Sequence, residues 1–336
     1  MTLNKQLIYG DIGGTKTILQ WAEIRDGEIH QQFTHRYDSA AFVTFSDMLR
    51  DFLSRTETAN HPVAACFAIA GPIVAQQTKV TNLPWQISSA GVSAEFSIPA
   101  VKLINDFEAA ALAIESLSPN DLTTLQTGQG QAHTQAMRVV LGAGTGMGVA
   151  WLPWLEGRYF AMPTEAGHMD FAPTNELQTH LFKALHHQFG HVSVERLLSG
   201  SGLTNIFNFL QMNAAIASDL APIILEEDSG ATITALAQTR KHPIAIKSLD
   251  LFAEIYGAYA GNLALAGLCR GGVYIAGGIA PRIVNILSSG GFMRAFRDKG
   301  RFSALMHEIP VHVITNYEIS LLGAKQEAHN LLNSQD

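Results

Sequence analysis

Two hydrophobic rhythms run along this 336-residue chain, one with the short period of strands and one with the longer period of helices. Residues 6–9 are a short run of β-formers and residues 18–24 a second. Between them stands Asp11-Ile12-Gly13-Gly14-Thr15-Lys16-Thr17, so the segment predicts strand, tight glycine turn, strand. Gly27 and its polar neighbours turn the chain into a third strand near residues 29–37. Phe42, Val43, Phe45, Met48, Leu49 and Phe52 then recur at helical spacing, which predicts a helix over 41–54. Residues 64–70 form an apolar run stopped by Gly71-Pro72, and 101–104 a short strand ending at Asn105-Asp106. An alanine-rich helix follows over 107–117.

The pattern then starts again. Residues 137–141 are apolar, Gly142-Ala143-Gly144-Thr145-Gly146-Met147-Gly148 is a glycine loop, and 149–152 are apolar. This repeats the strand, Gly-Thr turn, strand of the N-terminus, and reads as an internal duplication of one hairpin unit. The polar stretch 123–135 reads as a loop between the halves. Helices are expected over 176–189, 193–198 and 249–268, and a strand over 273–276 broken by Gly277-Gly278. Pro281 is placed to open the next helix. A last strand over 311–315 and a closing helix over 321–332 complete an α/β order.

Composition narrows the function classes. Charged residues are only 15% and mean hydropathy is +0.12, the reverse of a disordered chain. Lys+Arg 22 against Asp+Glu 29 gives −7, which argues against a general nucleic-acid or acidic-membrane surface. The length suggests two domains at about 150 residues each. Cys66 and Cys269 lie in apolar runs and read as buried free thiols. Two cysteines make neither a disulfide framework nor a Cys-rich zinc knuckle. The N-terminus reaches Gly and Asp before any long apolar region, and no stretch approaches the ~18 apolar residues of a membrane span. A soluble cytoplasmic protein is expected.

The two glycine loops offer the clearest chemistry. The second lacks the third glycine of a dinucleotide fingerprint, with Met147 in its place, and is followed by a strand instead of a helix. The first lacks the G-K-[ST] ending of a P-loop. Each presents exposed backbone N–H groups and a threonine hydroxyl, a concavity suited to phosphate oxygens. Either loop alone also reads as a plain tight turn that needs glycine. The duplication, with Asp11 beside one cradle, favours two hairpins clamping a polyphosphate with magnesium held at Asp11 through water.

Asp106 sits where a strand ends, which in α/β proteins faces the ligand crevice, but taken alone it reads better as the cap of the helix that follows. Glu165-x-x-His168 would need a second copy to resemble a di-iron bundle, and none is present. His187 and His191 are four apart with no third ligand nearby, so no zinc site is expected. Glu195 taken alone reads as an ion-pair partner of Arg196. The run Arg297-Asp298-Lys299-Gly300-Arg301 reads as a solvated loop.

DIGGTKT (11–17), GAGTGMG (142–148) and IAGGIAPR (275–282) resemble the phosphate and adenosine motifs of the hexokinase/actin/Hsp70-like ATPases. More closely, the chain is similar to the bacterial glucokinase family almost end to end. The likeness runs through CFAIAGPI (66–73), TNLPWQIS (81–88), LINDFEAAALAI (103–114), EAGHMDFAP (165–173), GHVSVERLLSGSGL (190–203) and RDKGRFSALMHEIPVHVI (297–314).

The resemblance implies two ribonuclease-H-like domains around a central cleft: a small one over 2–112 plus 316–336, and a large one over 113–315. It implies ATP-dependent phosphorylation of D-glucose at the 6-hydroxyl, with ATP and Mg²⁺ and without zinc. In that reading Asp106 is the general base, and Asn105, Glu165, His168 and Glu195 hold sugar hydroxyls. Asp11, Gly13, Gly14, Thr15, Lys16, Gly144, Thr145 and Gly146 would take the phosphates, with Gly277 and Gly278 near adenosine. A homodimer without nucleic-acid or membrane partners is implied as well.

Many family members carry Asn where Lys16 stands, and their sugar loop is often GEGGH, where this chain has Thr164-Glu165-Ala166-Gly167-His168. One rival is a kinase of the repressor/open-reading-frame/kinase group acting on another hexose or an amino sugar. That group typically has a Cys-rich zinc motif, which two distant cysteines do not supply. A second rival is a non-catalytic sugar sensor. No helix-turn-helix extension precedes Asp11, and Asp106 is in place.

Overall fold

Two sheets carry the fold, and the middle strands of each are apolar on both faces, as parallel strands covered by helices on either side must be. The computed structural model describes residues 5–56, 61–80, 83–128, 135–213, 221–225 and 229–333. Its contacts separate into two units, Met1–Ser116 with Glu318–Asp336, and Leu117–Tyr317.

The first unit contains β1 (Gln6–Ile12), β2 (Lys16–Arg25), β3 (Glu28–Asp38), β4 (Ala64–Ile69), a small hairpin of β5 (Gln77–Lys79) and β6 (Gln86–Ser88), and β7 (Ala100–Asn105). The main sheet runs β3-β2-β1-β4-β7. β2 runs antiparallel to both β1 and β3, whereas β4 lies parallel to β1 and β7 parallel to β4. Helices α1 (Phe45–Ser54), α2 (Ser89–Phe96) and α3 (Asp106–Ala113) belong to the same unit. Ile8, Ile12, Ala65, Phe67 and Ile69 bury one sheet face against Phe45, Met48, Leu49 and Phe52 of α1. Leu7, Tyr9, Ala64, Cys66 and Ala68 bury the other against Leu321, Ala324 and Ala328 of the closing helix, Ile319–Asn333. Period-two alternation on a strand covered from both sides thus explains runs that look uniformly apolar in sequence.

The second unit holds β8 (Leu122–Gln126), β9 (Arg138–Ala143), β10 (Met147–Leu152), the short hairpin β11 (Trp154–Leu155) and β12 (Arg158–Tyr159), β13 (Met162–Thr164), β14 (Gly272–Ala276) and β15 (Val311–Ile314). Its main sheet runs β13-β10-β9-β14-β15-β8. Setting β8 aside, this is the order of the first sheet with the same senses: two antiparallel neighbours, then two parallel ones. The duplication read from one hairpin therefore extends to a whole five-strand pattern. Helices α4 (Glu176–Phe189), α5 (Gly200–Met212), α6 (Gly230–Gln238), α7 (Pro243–Ala266), α8 (Val284–Ser288), α9 (Gly291–Arg297) and α10 (Ser303–Glu308) complete the unit.

Some elements differ from the sequence expectation. The helix expected over 193–198 is a single 3₁₀ turn, Val194–Arg196. The helix expected from 249 begins earlier, with Pro243 in its first turn, where a missing N–H costs nothing. Part of the expected loop 123–135 is β8, antiparallel to β15 at the sheet edge, where one face of the strand can stay polar; residues 129–134 lie outside the described residues. Pro281 opens a 3₁₀ turn, Ala280–Ile283, before α8. Cys66 and Cys269 are free and buried as expected, and burial pushes the Cys269 thiol up to about 12. Among the described residues no helix is long and apolar enough to cross a membrane.

Candidate functional site

In the first unit, the β1–β2 turn closes with Gly13 N–H donating to the Lys16 carbonyl at 3.1 Å. Ser39 braces it from behind. Its hydroxyl donates to the Gly13 carbonyl at 2.8 Å and its N–H donates to the Thr15 carbonyl at 3.0 Å. Those bonds consume three carbonyls of the turn and the Gly13 N–H. Ser39 was not identified from sequence, because it follows the hairpin by more than twenty residues.

Asp11 is the penultimate residue of β1, beside this turn. Burial, then the neighbouring Asp106 carboxylate, push its carboxyl up to about 7; Lys16 acts in the opposite direction and Glu318 adds to the rise. Asp11, Asp106, Lys16 and Glu318 are therefore electrostatic neighbours. Glu318 is itself paired with Arg36.

Asn105 and Asp106 divide their tasks differently from the capping alternative. Asn105 is the cap of α3: its Oδ1 accepts from Phe107 N–H at 2.8 Å and Glu108 N–H at 3.4 Å. Its Nδ2 donates to the Gly71 carbonyl at 2.9 Å. Asp106 is the first helical residue, with Oδ1 accepting from Phe107 N–H at 3.0 Å.

In the second unit, the β9–β10 turn closes with Gly144 N–H donating to the Gly146 carbonyl at 2.8 Å. Gly144 and Thr145 line a cavity of about 280 Å³ together with Gly200, Gly230, Gly278 and Arg282. Gly200 and Gly230 are the first residues of α5 and α6, so two helix N-termini open on it. Such ends favour anions through unpaired N–H groups and the helix dipole. Ser199 caps α5 by accepting from Gly202 N–H at 2.9 Å.

Gly277 has a different task from Gly278. Its φ is +83°, and a Cβ there would lie 2.4 Å from the Ala143 carbonyl. It lets β14 leave the sheet directly beside the β9–β10 turn. Gly200, Gly230 and Arg282, with Thr234 on the same cavity wall, escaped sequence reasoning, although a serine followed by glycine at a helix start was the available signal for the two glycines.

Glu195 and the turn that carries Glu165 and His168, expected from sequence to hold sugar hydroxyls, both pack against Met147. Glu195, in the Val194–Arg196 turn, accepts from Met147 N–H through Oε2 at 2.9 Å. Arg196 is not its partner and stacks over Phe189 at 4.2 Å. Glu165 and His168 bound a 3₁₀ turn over Ala166–His168, closed by His168 N–H donating to the Glu165 carbonyl at 3.0 Å. Both side chains are exposed. Thr164, which stands where relatives often have glycine, ties the turn down: its hydroxyl donates to the Val149 carbonyl at 3.0 Å and accepts from Ala166 N–H at 3.2 Å.

The glycine that stays, Gly167, is the one that geometry demands. A Cβ there would lie 2.0 Å from the Met147 carbonyl. Gly167→Ala is expected to push this turn off Met147, and with Glu165 and His168 in the sugar-binding role the sequence predicts, glucose binding should weaken roughly tenfold, about the worth of one hydrogen bond to a charged group. Ala166→Gly should bind glucose as the parent does. Calorimetric titration with glucose checks both, and equal affinity in Gly167→Ala would show that the turn is not held by this contact. Among the described residues no cluster of three or more His, Cys, Asp or Glu side chains could hold a metal ion by itself.

A family model described as Glucokinase matches residues 8–331. A glucokinase of Trichormus variabilis is 42% identical over 334 residues, covering 95% of this chain and 97% of the relative. Among solved structures, a glucokinase from an Antarctic psychrotroph superposes with a TM-score of 0.85 at 32% identity, covering 97% of this chain and 99% of that one. A repressor/open-reading-frame/kinase family glucokinase from Streptomyces griseus, solved with glucose and AMPPNP, shares the fold with a TM-score of 0.60 at 20% identity, over 97% and 99% of the two chains. Two glycine hairpins on duplicated sheets, a carboxylate pair at the base of one and a helix-end cavity at the other thus occur in a chain that matches these kinases over nearly its whole length, and the chain belongs to the glucokinase family.

Proposed function

We propose that this chain transfers the γ-phosphoryl group of ATP to the 6-hydroxyl of D-glucose, giving glucose 6-phosphate and ADP. The observation that carries the assignment of roles is that the Asp106 carboxylate, at the start of α3, acts electrostatically on Asp11 near the end of β1, beside a braced glycine turn. Asp106 accepts the hydroxyl proton as the sugar oxygen bonds to phosphorus and the bond to the ADP oxygen breaks. Phosphoryl transfer asks little more of a protein than such positioning and charge stabilisation.

Gly13, Gly14, Thr15 and Lys16 on one hairpin and Gly144, Thr145 and Gly146 on the other take the phosphates. Gly278 lies on the adenosine side, with Gly277 shaping the backbone there. Glu165, His168 and Glu195 hold sugar hydroxyls from one side. Asn105 contributes less than its residue type allows, because its Oδ1 and one Nδ2 hydrogen already serve the protein.

Magnesium fits the first hairpin. Asp11 offers hard oxygen donors where burial and nearby carboxylates disfavour its charge, and a divalent cation would offset that cost. Asp11 would hold the ion through water, and the bound ion would neutralise charge on the transferring phosphates. The strand order common to both sheets supports reading each unit as a ribonuclease-H-like domain, the small one over 2–112 plus 316–336 and the large one over 113–315. A cytoplasmic homodimer is part of the same reading and rests on family membership.

A coupled assay of sugar-phosphate formation across hexoses, amino sugars and phosphoryl donors tests the activity. Glucose with ATP and Mg²⁺ is expected to give the highest kcat/KM. Tight glucose binding without turnover would make the protein a sugar sensor, and faster turnover of an amino sugar would reassign its substrate.

A further inference from the structure

The second unit contains a polar cavity of about 320 Å³ that shares no lining residue with the helix-end cavity. It is bounded by the end of β8, by Arg297 at the end of α9 and by His307 in α10. Its size falls at the lower edge of small-molecule sites, roughly 300–1,000 Å³. Arg297 and His307 both belong to the long motif 297–314, to which the phosphoryl-transfer reading gives no task.

Arg297 is held in a fixed pose. Its Nε donates to Gln126 Oε1 at 2.7 Å. Gln126 is buried, and its Nε2 donates to the carbonyls of Met306 at 2.8 Å and Ile309 at 2.6 Å. The amide is thus clamped at both ends, and it aims the guanidinium. Among the described residues the two terminal nitrogens of Arg297 meet no acceptor. A strut between β8 and α9 would need only the Nε–H. The remaining donors form the planar fork that suits two oxygens of one anion.

The surroundings agree with that charge. His307 adds a further donor to the wall, the Thr127 hydroxyl donates to the Gly128 carbonyl at 3.4 Å, and no acidic side chain among the described residues lines the cavity, in a chain of net charge −7. Gly128 has φ +79°, and a Cβ there would lie 2.5 Å from the Glu308 carbonyl, so a glycine is what lets the wall close on α10. We propose that this cavity binds a phosphate-class anion, either inorganic phosphate or the phosphate group of a sugar monoester, with Arg297 as its fork and His307 as its second donor. The site does not depend on the catalytic reading, because it stands on its own residues.

The Arg297 side-chain Nε–H gives a site-resolved signal in a ¹⁵N correlation spectrum of the full chain. Titration with inorganic phosphate, and separately with glucose 6-phosphate, should shift it saturably. Tighter binding of the ester identifies a sugar phosphate as the occupant, and equal binding identifies free phosphate. His307→Leu leaves the Gln126–Arg297 bond in place and should weaken the titration several-fold. Arg297→Gln, followed at the Thr127 amide, should weaken it about tenfold or more. An Arg297 signal that neither anion moves, or an unchanged affinity in His307→Leu and Arg297→Gln, would overturn the proposal.

Discussion

Replacing Asp106 with asparagine is expected to lower kcat by ~10²–10⁴, the usual worth of a positioned general base. The substitution isolates the chemistry well. Asn105, not Asp106, caps α3, so the helix start survives. An asparagine Oδ1 at 106 can still accept from Phe107 N–H, the contact that Asp106 makes at 3.0 Å. Glucose affinity should therefore change little while turnover collapses. A second readout comes from Asp11. The Asp106 carboxylate is one of the charges that push the Asp11 carboxyl up, so removing it should bring that carboxyl down from about 7. Steady-state kinetics and a carboxyl titration by ¹³C spectroscopy check the two effects. A kcat within a few-fold of the parent would move the base elsewhere.

What sequence could and could not show follows from the range of the contacts involved. The two hairpins were legible because glycine clusters between β-formers have few other meanings. The strands β1, β4, β9 and β14 were legible as apolar runs. β8 was not, because Leu122–Gln126 is an edge strand with threonines on it, and edge strands need only one buried face. The division between Asn105 and Asp106 turns on a one-residue shift in where a helix begins, which local pattern does not resolve. Ser39 behind the first hairpin, Glu195 on Met147 N–H and Glu318 beside Asp11 are contacts between segments far apart in the chain. No period or spacing announces them. Thr164 shows the converse: this departure from the family pattern is a built anchor, with its hydroxyl bonded on both sides.

Asp11→Asn should make the protein more stable and a worse catalyst. The unperturbed Asp carboxyl loses its proton near 3.8, whereas the folded protein holds Asp11 protonated up to about 7, chiefly because the site is buried. Between those values the folded state binds more protons than the unfolded state. Stability contributed by this group is therefore lost as pH rises through that window, and it stays lost above pH 7. Asparagine carries no charge to bury, so the variant escapes that loss. In EDTA its Tm should exceed the parent's by at least roughly 2 °C at pH 8, with the difference vanishing below pH 4. Turnover with ATP should fall by on the order of 10², the loss typical when one preorganised electrostatic group is removed, and the Mg²⁺ requirement should rise. Calorimetric scans at several pH values, paired with Mg²⁺ titrations of activity, separate the two halves. Identical Mg²⁺ curves for parent and variant would remove Asp11 from the metal site, and a Tm difference independent of pH would show that its carboxyl is not the strained group. Agreement of both would show stability given up at the residue where a cation is needed: a buried carboxyl that the fold alone holds protonated up to about 7 would be charged by a counter-ion arriving with the phosphates.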